Sequence, residues 1–210
     1  MGALNGSLSY ARFFVEGELP TDFRQVFLEA IQHRAFEALS ADTEDEERVG
    51  WCNIEHPLDV DFDHHKLYYN EYINVALRID KWRIPGALLK AYTTEAERTY
   101  MAKHGKDKLR KSEKDDIKAI VSADLKKKLL PSMKTIDMSW NVHTGVVRFW
   151  NQSGKTLEMF QDLFEDTFKM SLVPDNPYIS ALRHDLDDDQ GLALAEASPA
   201  IFHRDDDALV

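Results

Sequence analysis

The chain has 210 residues, of which 43% are hydrophobic and 10% aromatic, which provides for a globular core and excludes an intrinsically disordered chain. Its single cysteine, Cys52, excludes an internal disulfide and a cysteine-based metal site. The formal net charge of −11 excludes general adhesion to polyanions, so any such binding has to be local.

Leu8 to Val15, with Tyr10, Phe13 and Phe14, reads as a strand that Gly17 and Pro20 terminate. Thr21 or Asp22 then caps a helix on which Phe23, Val26, Phe27, Ala30, Ile31 and Leu39 share one face. The acidic run from Thr43 to Glu47 reads as a loop, and Val49 to Ile54 as a short strand anchored by Trp51. From Tyr69 to Ile79, Ile73, Val75, Leu77 and Ile79 alternate with polar residues, the period of a half-buried strand.

The next stretch reverses the charge of the chain. Residues 78 to 134 hold sixteen Lys and Arg against eight Asp and Glu, whereas residues 1 to 77 hold five against fifteen and residues 135 to 210 five against fourteen. Pro85 is suited to open a helix, Leu88, Leu89, Tyr92, Ala96 and Tyr100 follow at helical spacing, and Gly105 supplies a left-handed end. Ser112 with Asp115 reads as a capping pair for a second helix carrying Ile117, Ile120, Val121, Leu125 and Leu129, which Pro131 stops. Two such helices joined by a short basic turn form an αα-hairpin. Its candidate phosphate contacts are Lys103, Lys106, Lys108, Arg110, Lys111, Lys114, Lys118, Lys126, Lys127 and Lys128, with Lys134 just beyond. A charge run by itself is more often a solvated face, and Lys126, Lys127 and Lys128 occupy a last turn where the helix dipole favours cations anyway.

Ile136, Met138, Trp140 and Val142 alternate with polar residues, His143 to Gly145 turn the chain, and Val146 to Trp150 return it as a β-hairpin. Leu157, Phe160, Leu163, Phe164 and Phe168 mark a last helix, and Leu172 to Pro174 an edge strand. The predicted fold class is α+β: an antiparallel sheet covered by two amphipathic helices, with an inserted basic helical hairpin and an acidic C-terminal tail. The expected division is residues 1–84 with 132–175 for the sheet, 85–131 for the hairpin and 176–210 for the tail. That tail, with Asp185, Asp187, Asp188, Asp189, Asp205, Asp206 and Asp207, reads as a flexible segment. It either competes with a polyanion for the hairpin, or solubilises the chain and folds locally through Leu192, Leu194 and Ile201.

Three motifs invite chemistry. Gly154-Lys155-Thr156 stands between a strand and a helix, but a phosphate-binding P-loop needs glycine where Phe149 stands. Asp59, Asp61 and Asp63 alternate like a calcium loop, yet His64 and Asn70 occupy the positions of its glycine and glutamate. With His56, His64 and His65 they define a rival reading, a divalent-metal nuclease, against the simpler one of an acidic surface loop. Trp82, Trp140 and Trp150 are suited to stack on bases, though in strands such residues more often fill a core. No cofactor is implied. Met1 to Ser9 lacks the features of a signal peptide and no stretch is apolar enough for a membrane span, so a cytoplasmic, membrane-free protein is expected.

Arg48-Val49-Gly50-Trp51, Ala76-Leu77-Arg78, Lys108-Leu109-Arg110-Lys111-Ser112-Glu113-Lys114, Leu129-Leu130-Pro131 and Leu172-Val173-Pro174 resemble, in the same order, segments of the RdgC family. The resemblance covers about residues 8 to 175, and its most specific part is the basic turn followed by Leu-Leu-Pro. It implies a nucleoid-associated, non-catalytic protein that binds double-stranded DNA without sequence preference, with single strands as a further ligand. It also implies a homodimer that closes as a ring around DNA and a functional link to the RecA recombinase, whose loading the family restrains. In that family the hairpin is the finger that closes the ring. The chain departs from the family pattern in lacking most of its C-terminal half, and in having Lys134 where an aromatic residue can stand. A third reading makes the hairpin a docking arm for an acidic protein.

Overall fold

Alternating apolar residues along two long strands set the architecture. β4 (Tyr72–Lys81) and β5 (Ser132–Asn141) pair antiparallel from Tyr72 opposite Asn141 to Lys81 opposite Ser132. Ile73, Val75, Leu77, Ile136, Met138 and Trp140 therefore fall on one face, where all are buried. β2 (Glu47–Cys52) joins the outer side of β4, and β6 (Val146–Phe149), β1 (Ala11–Glu16) and β7 (Ser171–Pro174) follow β5. The order is β2-β4-β5-β6-β1-β7, with a two-residue β3 (Tyr68–Tyr69) also on β4. This computed structural model describes residues 2–6, 9–43, 45–184 and 186–198. The chain divides into two compact units at Val173/Pro174, which leaves the inserted hairpin and the sheet, up to Val173 of β7, in one of them.

α1 (Phe23–His33) and α5 (Gly154–Phe168) cover the apolar face. Phe27, Ile31, Phe160 and Phe164 are all but inaccessible, each contributing about 1.5–3 kcal/mol of burial. Phe149 of β6 and Phe160 of α5 stack at 4.0 Å, and Phe27, Trp140, Phe164 and Phe168 meet at 4.6–5.3 Å, edge-on or tilted. Trp51 is the expected anchor of β2: it is fully buried and its ring N–H donates to Thr167 Oγ1 of α5 at 2.8 Å.

α1 ends at His33, short of Leu39. The reason lies on β2: Trp51 N–H donates to Arg34 O at 3.0 Å and Phe36 N–H donates to Trp51 O at 2.8 Å, so the strand captures the backbone that the helix would have used. Leu39 is still buried, from a loop. A short α2 (His64–Leu67), capped by Asp63, was not legible from periodicity.

The opposite sheet face is polar. Arg78 and Asp80 form a 2.7 Å ion pair with both side chains largely buried, and the Arg78 guanidinium lies 4.0 Å over the Phe36 ring. A 3-10 turn at Ala3–Asn5 meets β5, where Ala3 N–H donates to Asp137 Oδ2 at 2.7 Å. Burial pushes the Asp137 carboxyl above its ordinary pKa, and the Ala3 N–H only partly offsets this. A raised folded-state pKa contributes stability that is present in acid and lost as pH rises through it. Asp137→Asn is therefore expected to be more resistant to urea than the parent at pH 7, the advantage disappearing below about pH 4. Equal differences at both pH values would contradict this.

In the second unit, the segment read as an irregular tail contains α6 (Pro177–Leu182) and α7 (Asp188–Ala195). Asn176 Oδ1 caps α6 through Ile179 N–H at 2.9 Å, and Asp187 with Gln190 forms a reciprocal capping box on α7. Leu192 and Leu194 lie on α7, whereas Asp185, Ile201, Asp205, Asp206 and Asp207 lie outside the described residues. Among the described residues, no helix is long and apolar enough to cross a membrane.

Candidate nucleic-acid interface

Between β4 and β5 the chain leaves the sheet as α3 (Gly86–His104) and α4 (Lys111–Lys126). Ile117, Val121 and Leu125 of α4 pack with Leu88, Leu89, Ala96, Tyr100, Leu109 and Leu129 in a small apolar cluster separate from the sheet core. The hairpin thus holds itself together. α3 ends at Gly105, whose φ of 58° is the left-handed conformation that glycine adopts without strain.

α4 begins before the Ser112–Asp115 pair. Glu113 Oε2 accepts the Arg110 N–H at 2.8 Å, and its other oxygen is ion-paired with Lys106. The Lys106 hydrogen bond, then the Arg110 N–H, hold the Glu113 carboxyl below its ordinary pKa. Lys106 also lies 5.8 Å over the Tyr100 ring, so this cation closes the turn and is not available as an unencumbered charge.

The eleven candidate cations fall into two groups. Residues 103 to 118 bring seven Lys and Arg to the tip end against four Asp and Glu. Lys103, Lys108, Arg110, Lys111, Lys114 and Lys118 are exposed and, among the described residues, have no ion-pair partner. The base group is engaged differently. Lys126, only 12% exposed, pairs with Glu46 beside β2; Lys127 lies 3.8 Å from Asp42; and Lys128 lies 6.0 Å over the Tyr92 ring. Lys126 is thus a brace between α4 and the β2 edge. Lys134 lies on β5 opposite Ile79 and lines a cavity with Lys81 and Arg83, which the basic stretch 78 to 134 contains, and with Lys155, which lies outside it.

One side of the hairpin carries a largely apolar groove, which Glu95, Thr99, Lys103 and Asp124 also line. Tyr92, Ala96, Tyr100, Ile117, Ile120 and Val121 line a groove of about 470 Å³, and Tyr92 and Ile120 are 49% and 63% exposed although the helical spacing predicted them for the internal stripe. The stripe is wider than a two-helix contact can cover.

The aspartates of the rival reading are tied into their loop. Asp59 pairs with Lys66 at 2.9 Å and also accepts the Asp61 N–H at 3.0 Å, while Asp63 Oδ1 accepts the N–H groups of His65 and Lys66 at 2.8 and 2.9 Å to cap α2. The Lys66 hydrogen bond lowers the Asp59 pKa, and the N–H donors lower that of Asp63. Among the described residues, no three His, Cys, Asp or Glu are grouped to hold a metal ion. Gly154-Lys155-Thr156 forms the first turn of α5. Trp82 and Trp140 are buried, and Trp150 packs on Tyr10 at 5.5 Å.

No protein-family model matches the chain, and no curated protein matches it as a relative.

Proposed function

We propose that the chain is a non-catalytic, sequence-independent binder of duplex DNA that acts as a dimer, with the hairpin tip as its phosphate-contacting surface. One observation carries this reading: apart from Lys106, the tip cations of this acidic chain are exposed and, among the described residues, have no ion-pair partner, and the apolar cluster of the hairpin uses none of them. Side chains with no structural duty, gathered at the end of a self-supporting projection, suit contact with a phosphate backbone that offers charge but no sequence. By resemblance to the RdgC family, the consequence of such binding is restraint of RecA loading on DNA. The test is a mobility shift on labelled duplexes of unrelated sequence, with and without magnesium or manganese. A salt-sensitive shift without cleavage supports the reading, cleavage supports a nuclease, and absence of both supports a docking arm.

The apolar groove of the hairpin supports the dimeric part of the proposal, with a second copy of the chain as its occupant. Ile120→Glu places a charge in that groove at a residue already 63% exposed, so folding is spared. Sedimentation equilibrium is expected to show a dimer for the parent and a monomer for this variant. A parent that remains monomeric at high concentration contradicts the assembly.

A further inference from the structure

At the hairpin base the apolar face of the sheet gives way to charge. Ile79 pairs with Lys134 and Lys81 with Ser132, so both lysines continue the face that carries Ile73, Val75 and Leu77 farther in. Arg83 follows just after β4, and Lys155 and Thr156 approach from the first turn of α5. With Glu47 and Met159 these residues line a cavity of about 210 Å³.

Four cations therefore meet one carboxylate. Glu47 lies 3.0 Å from Lys81 Nζ and 3.6 Å from Lys155 Nζ. Burial pushes its pKa up, but the hydrogen bond and charge of Lys81 and the charge of Lys155 outweigh burial and hold it below its ordinary value, as a positive environment requires. Arg83 and Lys134 are exposed and, among the described residues, have no ion-pair partner. The fifteen-residue α5 adds its positive end, where Ser153 provides no side-chain cap and a Cβ on Gly154 would meet nothing within 4 Å.

We propose that this pocket binds a phosphoryl anion, with Arg83, Lys134 and Lys155 as its charged ligands and the Ser132 and Thr156 hydroxyls as further donors. A guanidinium fork with two ammonium groups beside an uncapped helix start matches the oxygens of a phosphate. The cavity is smaller than the roughly 300 Å³ at which pockets begin to enclose drug-sized ligands, so it accommodates the phosphoryl group and leaves the rest of the molecule outside. That group belongs either to a DNA backbone or to a free phosphate ester. The site is distinct from the tip, because the nineteen residues of α3 separate the two by about 28 Å.

The test uses the full chain, nitrogen-15 labelled, titrated with pyrophosphate. Saturable shifts are expected at the amides of Ser132, Lys134, Gly154, Lys155 and Thr156. In Lys134→Gln/Lys155→Gln, which removes two exposed charges and is expected to melt like the parent, pyrophosphate affinity falls at least about tenfold. Reversal of the tip cations leaves it within about twofold, because the sites are far apart. Competition by a blunt duplex lacking terminal phosphates assigns the phosphoryl group to the DNA backbone, and competition by adenosine triphosphate alone assigns it to a free ester. Shifts that do not saturate, shifts spread equally over Lys108 to Lys111, or an unchanged affinity in the double variant overturn the proposal. Because pyrophosphate is the probe, the result stands whether or not the tip binds DNA.

Discussion

Replacing Lys108, Arg110, Lys111 and Lys114 together by Glu is expected to lower duplex affinity by about a thousandfold or more at 0.1 M salt while leaving the thermal melt unchanged. On the proposed reading, each substitution removes a phosphate contact and adds a repelling charge. The fold is spared because all four side chains are exposed, whereas Leu109 between them, which joins the hairpin's apolar cluster, is retained. Only the Arg110 backbone N–H serves the capping of α4, and it survives the change. Fluorescence anisotropy on a labelled duplex, with circular dichroism as the control, measures both halves. Unfolding of the variant, or affinity equal to that of the parent, removes the tip from the interface.

The largest expected effect on stability comes from Gly50→Ala. A Cβ at Gly50 would lie 2.6 Å from Phe36 Cα, 2.9 Å from Phe36 N and 3.2 Å from the Ala35 carbonyl carbon. All three are backbone atoms, so no side chain can swing aside. That backbone is held by the Phe36 N–H to Trp51 O bond at 2.8 Å and the Trp51 N–H to Arg34 O bond at 3.0 Å. Phe36 is also 5% exposed and lies beneath the Arg78 guanidinium at 4.0 Å. Relief of the clash strains or breaks these contacts at a cost of roughly 3 kcal/mol or more. For a chain of this size that lowers the melting temperature by about 6–12 °C. A melt within about 2 °C of the parent would show that the close approach of β2 to the Ala35–Phe36 segment is not as tight as described.

The α+β fold was legible because its signals are periodic and unopposed: Ile73 to Ile79 and Ile136 to Val142 alternate cleanly, and the face that β4 and β5 bury follows from that alternation. Leu39 lies outside α1 although its spacing suits that helix, because the hydrogen bonds that end the helix come from Trp51, seventeen residues beyond Arg34. Ser112 lost the cap of α4 to Glu113, which reaches back to Arg110 while Lys106 balances its charge. A charge count located the tip, but it could not separate Lys108 or Lys111, which stand clear, from Lys126, which Glu46 holds. The basic pocket at the hairpin base was not legible as a site because Lys81 and Arg83, Lys134, and Lys155 are far apart along the chain and meet only once β4, β5 and α5 are assembled.

The measurement that bears most directly on DNA binding by the hairpin is the salt dependence of duplex affinity for the unmodified chain. On the proposed reading, six tip contacts (Lys103, Lys108, Arg110, Lys111, Lys114 and Lys118) correspond to a slope of about −5 in log affinity against log salt, equal for duplexes of unrelated sequence. A slope near zero, or affinities that differ strongly between sequences at one salt concentration, would contradict a phosphate-reading hairpin.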